Sequence, residues 1–259
     1  MDDLRFPFGA PLSKCRPSAD SERRLFVLGA YPSALHVTWH PPKPHRRVLA
    51  LPVADEPEPF WTGHDQAVHL EAWRASVGFH DGWGRVEPCG RFNGSSGAWV
   101  EERVLAPLGA KRTESWITDC LDTYRASNGV AGRIADTYAP FAIENEAAVA
   151  NLLPHPDEHA IVREALATET DRLRAELDRA KPEIVVTLGN AALRVLREIV
   201  TVVDDPGCAL VADERYGTAR RITLGSRASR WLPLAHPAAP TRYQLAHERW
   251  IESAHRVSY

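Results

Sequence analysis

Leu25-Phe26-Val27-Leu28-Gly29-Ala30-Tyr31-Pro32-Ser33 and Trp231-Leu232-Pro233-Leu234-Ala235-His236-Pro237-Ala238-Ala239-Pro240 decide the fold. Each is an apolar run that stops at a glycine or polar residue and then a proline. A continuous apolar run reads as a strand covered on both faces, as in parallel sheets. Proline lacks an N–H and fixes φ, so strand pairing ends there and the chain is thrown outward. Open α/β sheets bind their ligands at the carboxyl ends of such strands. Between the two lies a third run, Ile184-Val185-Val186-Thr187-Leu188-Gly189-Asn190, which leads into a helix.

Working outward, residues 115–121 give a fourth core strand, and Pro52 demotes 48–53 to an edge strand. Helices are expected near 68–76, 98–108, 141–153, 191–200 and 244–255. Another begins behind an Asp157 N-cap and runs to about residue 180. Asn128-Gly129 reads as a loop, and 209–211 with 220–224 as a hairpin around Gly217. Alternating strands and helices predict an α/β fold of three layers, α/β/α, with a central, mainly parallel four-stranded sheet. Residues 23–259 are expected to form a single domain, behind an irregular proline- and charge-rich lead-in over 1–22.

The chain has 259 residues, 44% hydrophobic and 25% charged, the balance of an ordinary soluble globule. A net charge of -3 argues against broad non-specific nucleic-acid binding and leaves room for a local basic face. Cys15, Cys89, Cys120 and Cys208 form no C-x-x-C pair, so isolated thiols are expected and no metal site. The start, Met1-Asp2-Asp3-Leu4-Arg5, lacks the apolar segment of a signal peptide, and no stretch approaches membrane length. A cytoplasmic protein without a membrane partner is expected.

Several segments, in their order, resemble motifs of the uracil-DNA glycosylase superfamily, in particular its iron–sulfur-type branch. Gly29-Ala30-Tyr31-Pro32-Ser33 resembles the first motif, and Gly90-Arg91-Phe92-Asn93-Gly94-Ser95-Ser96-Gly97 the loop whose ring stacks on the extruded base. Trp116-Ile117-Thr118-Asp119-Cys120 is similar to the strand that carries a base-reading Asn. Lys181-Pro182 through Gly189 resembles the Lys-Pro…Leu-Gly strand, and His236-Pro237-Ala238 the His-Pro-Ser motif. The resemblance implies a monomeric enzyme that takes DNA with an extruded damaged or modified base and hydrolyses its N-glycosidic bond. It implies His236 and Asp119 as catalytic residues and Gly29, Ala30, Tyr31, Pro32, Phe92 and Asp119 around the base. Ser33, Ala238 and Arg242 are then expected at DNA phosphates.

The departures carry as much information. The cluster-binding cysteine spacings are absent, so no cofactor is expected. The first motif holds Ala30 and Tyr31 where the family carries an acid or Asn; His36, Asp55 and Glu56 are the nearest substitutes, each expected at the surface. Asp119 replaces Asn: an ionised carboxylate only accepts, which suits the N4 amino group of a cytosine-like base better than uracil. Two other classes fit the same features: a non-catalytic nucleic-acid or nucleotide binder on this fold, and an N-ribosyl hydrolase acting on free nucleosides.

Overall fold

A computed structural model describes residues 3–205, 207 and 209–254. Nine strands occur along them: β1 (Leu25–Gly29), β2 (Ala34–His40), β3 (Val48–Asp55), β4 (Arg85–Pro88), β5 (Ser115–Asp119), β6 (Ile184–Leu188), β7 (Thr201–Val202), β8 (Arg220–Leu224) and β9 (Arg227–Leu234). The helices are α1 (Gln66–Val77), α2 (Ser95–Val100), α3 (Asn128–Arg133), α4 (Ala139–Glu144), α5 (Glu158–Thr168), α6 (Thr170–Ala180), α7 (Gly189–Ile199) and α8 (Thr241–Ala254). They pack as two compact units, each assembled from three chain segments.

The parallel-sheet unit takes Arg16–Tyr31, Trp99–Asp122 and the described part of Pro156–Tyr259. Its six strands run in the order β5-β1-β6-β9-β8-β7. The four expected core strands are all there, and β5, β1, β6 and β9 are parallel neighbours. Antiparallel β8 and β7 extend the sheet beyond β9. Every residue of β1, β5 and β6 is buried, as strands covered on both faces must be. One face buries Phe26, Leu28, Trp116, Val185 and Trp231 with apolar positions of α5, α6 and α7.

Some expectations are corrected here. The hairpin partner of β8 is β9, turning at Gly225, whereas 209–211 form no strand. The long helix after Asp157 is broken at Glu169 into α5 and α6. Thr168 and Thr170 flank the break, and each hydroxyl bonds the carbonyl four residues back, which bends helices. Asp157 does cap α5, accepting from Ala160 N–H at 2.7 Å.

The small-sheet unit takes the described part of Met1–Cys15, Pro32–Ala98 and Thr123–His155. Its antiparallel sheet has the order β3-β2-β4, so 48–53 is an edge, in a sheet of its own. The lead-in is no bystander: Phe6 and Phe8 are buried in the core, and Phe8 meets Trp39, Trp73 and Tyr138 edge-on. Asn128-Gly129 opens α3 instead of forming a loop, because Ser127 caps it by accepting from Val130 N–H. The helix expected over 141–153 ends at Glu144, just before Glu146 takes a left-handed φ of 52°.

Candidate functional site

In the parallel-sheet unit the expected residues gather at one sheet edge. Ile117, Val27, Val186 and Leu232 lie in one register row, so their side chains share a face. Two residues on, Asp119 and Leu234 point to that same face at the carboxyl ends of β5 and β9, and His236 follows Leu234 by two. Three strand spacings separate β5 from β9, about 14 Å. The ends of β1 and β6 form the floor between them. β5 continues past its end to hold the first motif: Cys120 N–H donates to Gly29 C=O at 3.1 Å and Leu121 N–H to Ala30 C=O at 3.0 Å. Gly29, Ala30 and Asp119 are thus brought together, with Tyr31 half-buried beside them.

Asp119 is 2% exposed. Its main chain is gripped from the other face of β5 by Arg172 of α6. That guanidinium donates to Asp119 C=O at 2.8 Å, Cys120 C=O at 3.0 Å and Thr118 Oγ1 at 3.1 Å. Glu169 and Glu176 pair with Arg172, and Trp116 Nε1 donates to Glu176. Sequence reading missed Arg172, although its place between acids at i−3 and i+4 is a helix-pair signal.

His236 turns back on its own loop: Ala238 N–H donates to His236 Nδ1 at 3.2 Å. An acceptor at Nδ1 fixes the neutral tautomer with its proton on Nε2. Burial pushes its pKa down to about 4, so the ring is neutral at pH 7. At the end of β6, Gly189 has φ 84°, and a Cβ there would lie 3.3 Å from the His236 Cβ. Glycine therefore serves both the backbone turn and the approach of the histidine. Arg242, exposed, lies over the Tyr243 ring.

Two amides expected at phosphates are engaged within the protein. Ala238 N–H serves His236, and Ser33 N–H donates to Glu56 Oε1 at 2.9 Å. Glu56 is itself a correction: it is buried, 6% exposed, where a surface residue was expected. Asp55 and His36 are half-buried. Burial raises the Asp55 pKa to about 6 and lowers that of His36 to about 4.

Pro32, Ser33 and Phe92 belong to the small-sheet unit. Phe92 ends a 3-10 turn, Gly90–Phe92, with its ring 41% exposed and the Arg91 guanidinium 5.7 Å from its centroid. The loop behind it is fixed by Asn93. That amide accepts from His36 N–H at 2.8 Å and donates to His36 C=O and Gln66 Oε1 at 2.8 and 3.0 Å.

Cys15, Cys89 and Cys120, the described cysteines, do not fit an iron–sulfur cluster. Cys15 Sγ donates to Glu56 C=O, Thr38 Oγ1 donates to Cys89 Sγ, and burial pushes the Cys120 thiol up, away from the thiolate a metal needs. Cys208 lies outside the described residues. No group of three or more metal-binding side chains occurs among the described residues. No helix among them is long and apolar enough to cross a membrane.

The parallel-sheet unit is thus a mainly parallel α/β sheet with a histidine and a buried aspartate at its carboxyl edge. The uracil DNA glycosylase superfamily profile matches residues 92–255, from the Phe92 turn to the end of α8. The chain belongs to that superfamily. No curated protein matches it.

Proposed function

We propose that the protein hydrolyses the N-glycosidic bond of an extruded pyrimidine in DNA. The observation that carries this reading is the tautomer of His236. Water adds to C1′ as the C1′–N bond breaks, and the bonding pair leaves on the base. A neutral imidazole with Nε2–H donates to the base oxygen where that charge appears. The water's proton passes to solvent, and the departing nucleobase anion takes a proton from solvent.

Asp119 reads the base edge. As a carboxylate it accepts from an amino group, so a modified cytosine-like base is the preferred substrate and uracil the weaker one. The exposed Phe92 ring presents a stacking face to the base, and Arg242 meets phosphate. Tyr31 and Pro32 shape the wall beside Gly29 and Ala30. The protein acts as a monomer and needs no cofactor in this scheme.

A panel of oligonucleotides carrying uracil, hypoxanthine, cytosine and modified cytosines tests it, with His236→Ala beside the parent protein. Base release by the parent that falls at least a hundredfold in His236→Ala is expected. Excision of uracil alone would end the role given to Asp119. The non-catalytic binder is favoured by one observation, the Ala30-Tyr31 pair without a carboxylate. Tight binding of abasic or base-modified DNA with no release of any base would establish it.

A further inference from the structure

The turn that presents His236 is built from its own backbone, yet two side chains from elsewhere hold that backbone and a third braces one of them. Just before it, Ala235 N–H donates to the Tyr216 hydroxyl at 2.8 Å. Tyr216 Oη is 2.7 Å from His247 Nδ1, and His247 Nε2 is 2.9 Å from Arg103 C=O. A carbonyl only accepts, so His247 carries its proton on Nε2 and accepts from the tyrosine at Nδ1. The hydrogen bonds therefore run in one direction, from Ala235 N–H through Tyr216 O–H to His247, and from its Nε2–H to Arg103. Ala235, Tyr216 and His247 are buried, and His247 has no exposed surface.

Gln244 closes the other side of the turn. Its Nε2 donates to Pro237 C=O at 3.0 Å and Ala239 C=O at 3.3 Å, and lies 3.5 Å from His236 C=O. Gln244 and His247 are three residues apart on α8, on one helix face. The segment carrying Tyr216 is seated on the same helix: a Cβ on Gly217 (φ 67°) would lie 2.2 Å from the Trp250 ring. One helix thus fixes both ends of the five-residue turn Ala235–Ala239, within which Ala238 N–H sets the His236 tautomer.

We propose that Tyr216, Gln244 and His247 are positioning residues for His236, holding its turn so that the ring keeps its proton on Nε2. This rests on the reading of His236 as the group that faces the departing base. A loosened turn swings Ala238 N–H off Nδ1, and the ring then exchanges tautomers and hydrates.

The test is ring 15N NMR of the full chain labelled with 15N-histidine, the His236 signals being assigned by their loss in His236→Asn. Gln244→Met keeps the stem and removes the donor; Tyr216→Phe removes the hydroxyl. Leu245→Ala, on the exposed side of α8, is the control. Both variants should move the His236 ring shifts from one tautomer to an average, and Leu245→Ala should not. Where the parent releases base, Gln244→Met should lower kcat about tenfold with KM unchanged. Unmoved ring shifts in folded Gln244→Met overturn the proposal, even if Tyr216→Phe does not fold. Ring shifts that move as expected in a parent that releases no base overturn the glycosylase reading and leave the positioning roles standing.

Discussion

The turn that carries Phe92 and the turn that carries His236 are held by opposite means. The first is held by shape. A Cβ on Gly94 would lie 2.0 Å from the Thr62 carbonyl carbon, and one on Gly97 would lie 2.0 Å from Phe60 C=O. Backbone lies on backbone there, with Asn93 as a side-chain bolt. The second is held by hydrogen bonds from the side chains of Tyr216 and Gln244. A turn locked by close packing tolerates no added atom but needs few specific partners. A turn locked by side chains stays foldable when one is lost, and what it loses is the aim of its histidine.

The largest effect expected from this contrast is at Gly94. Gly94→Ala adds a Cβ against backbone and forces a left-handed φ of 78° on alanine. Strain and overpacking together cost about 3 kcal/mol or more. Melting should fall by roughly 10 °C, with amide exchange faster in the small-sheet unit. A melting point within two degrees of the parent would break the claim that this turn is held by shape.

Next comes His236→Ala, a loss of rate by about two to three powers of ten with little change in melting. Smaller again is Phe92→Ala. The exposed ring contributes little to stability, and losing one stacking face costs about 1–3 kcal/mol toward the base. Affinity for DNA with an extruded base should fall about tenfold while melting is unchanged. If Phe92→Ala instead destabilised the fold, its ring would be a packing residue.

The four core strands were legible because burial on both faces writes itself as an unbroken apolar run. β2 was not, although Leu35-His36-Val37-Thr38-Trp39-His40 alternates with the period of a half-buried strand. The proline before it drew attention to where β1 stops and away from what starts. Of the candidate site, the placement of Asp119 and His236 at or just past strand ends was legible. Tyr216 and His247 were not, and of Arg172 only its pairing with neighbouring acids was readable, since the main-chain and ring partners of the three lie 19 to 144 residues away in the chain. Glu56 was misplaced at the surface because a carboxylate's burial depends on a partner, here the Ser33 amide, that composition does not reveal.

The smallest effect expected is a difference between the two units in their response to acid. His36 in the small-sheet unit and His236 in the parallel-sheet unit are both depressed by burial from 6.5 to about 4. A histidine held neutral contributes stability that is full above pH 6.5 and is lost as pH falls toward 4, because the unfolded chain binds the proton first. Asp55 runs the other way. Burial raises it from 3.8 to about 6, so the folded small-sheet unit binds a proton first and gains stability as pH falls through 6. In that unit the two slopes oppose each other between pH 6 and 4.5. The parallel-sheet unit loses stability at His236 in the same way, and His247, also lowered by burial, adds to the loss. Its opening free energy should fall by up to about 1.4 kcal/mol per pH unit for each histidine, the limit set by one proton, while that of the small-sheet unit stays nearly level. Native-state hydrogen exchange read by mass spectrometry, corrected for intrinsic exchange, measures the two units in one sample. His236→Asn should reduce the slope in the parallel-sheet unit, and Asp55→Asn should expose the hidden slope of His36 in the other. Equal slopes in the parent would show that the two histidines are not held neutral to the same degree, or that Asp55 is ionised throughout this range.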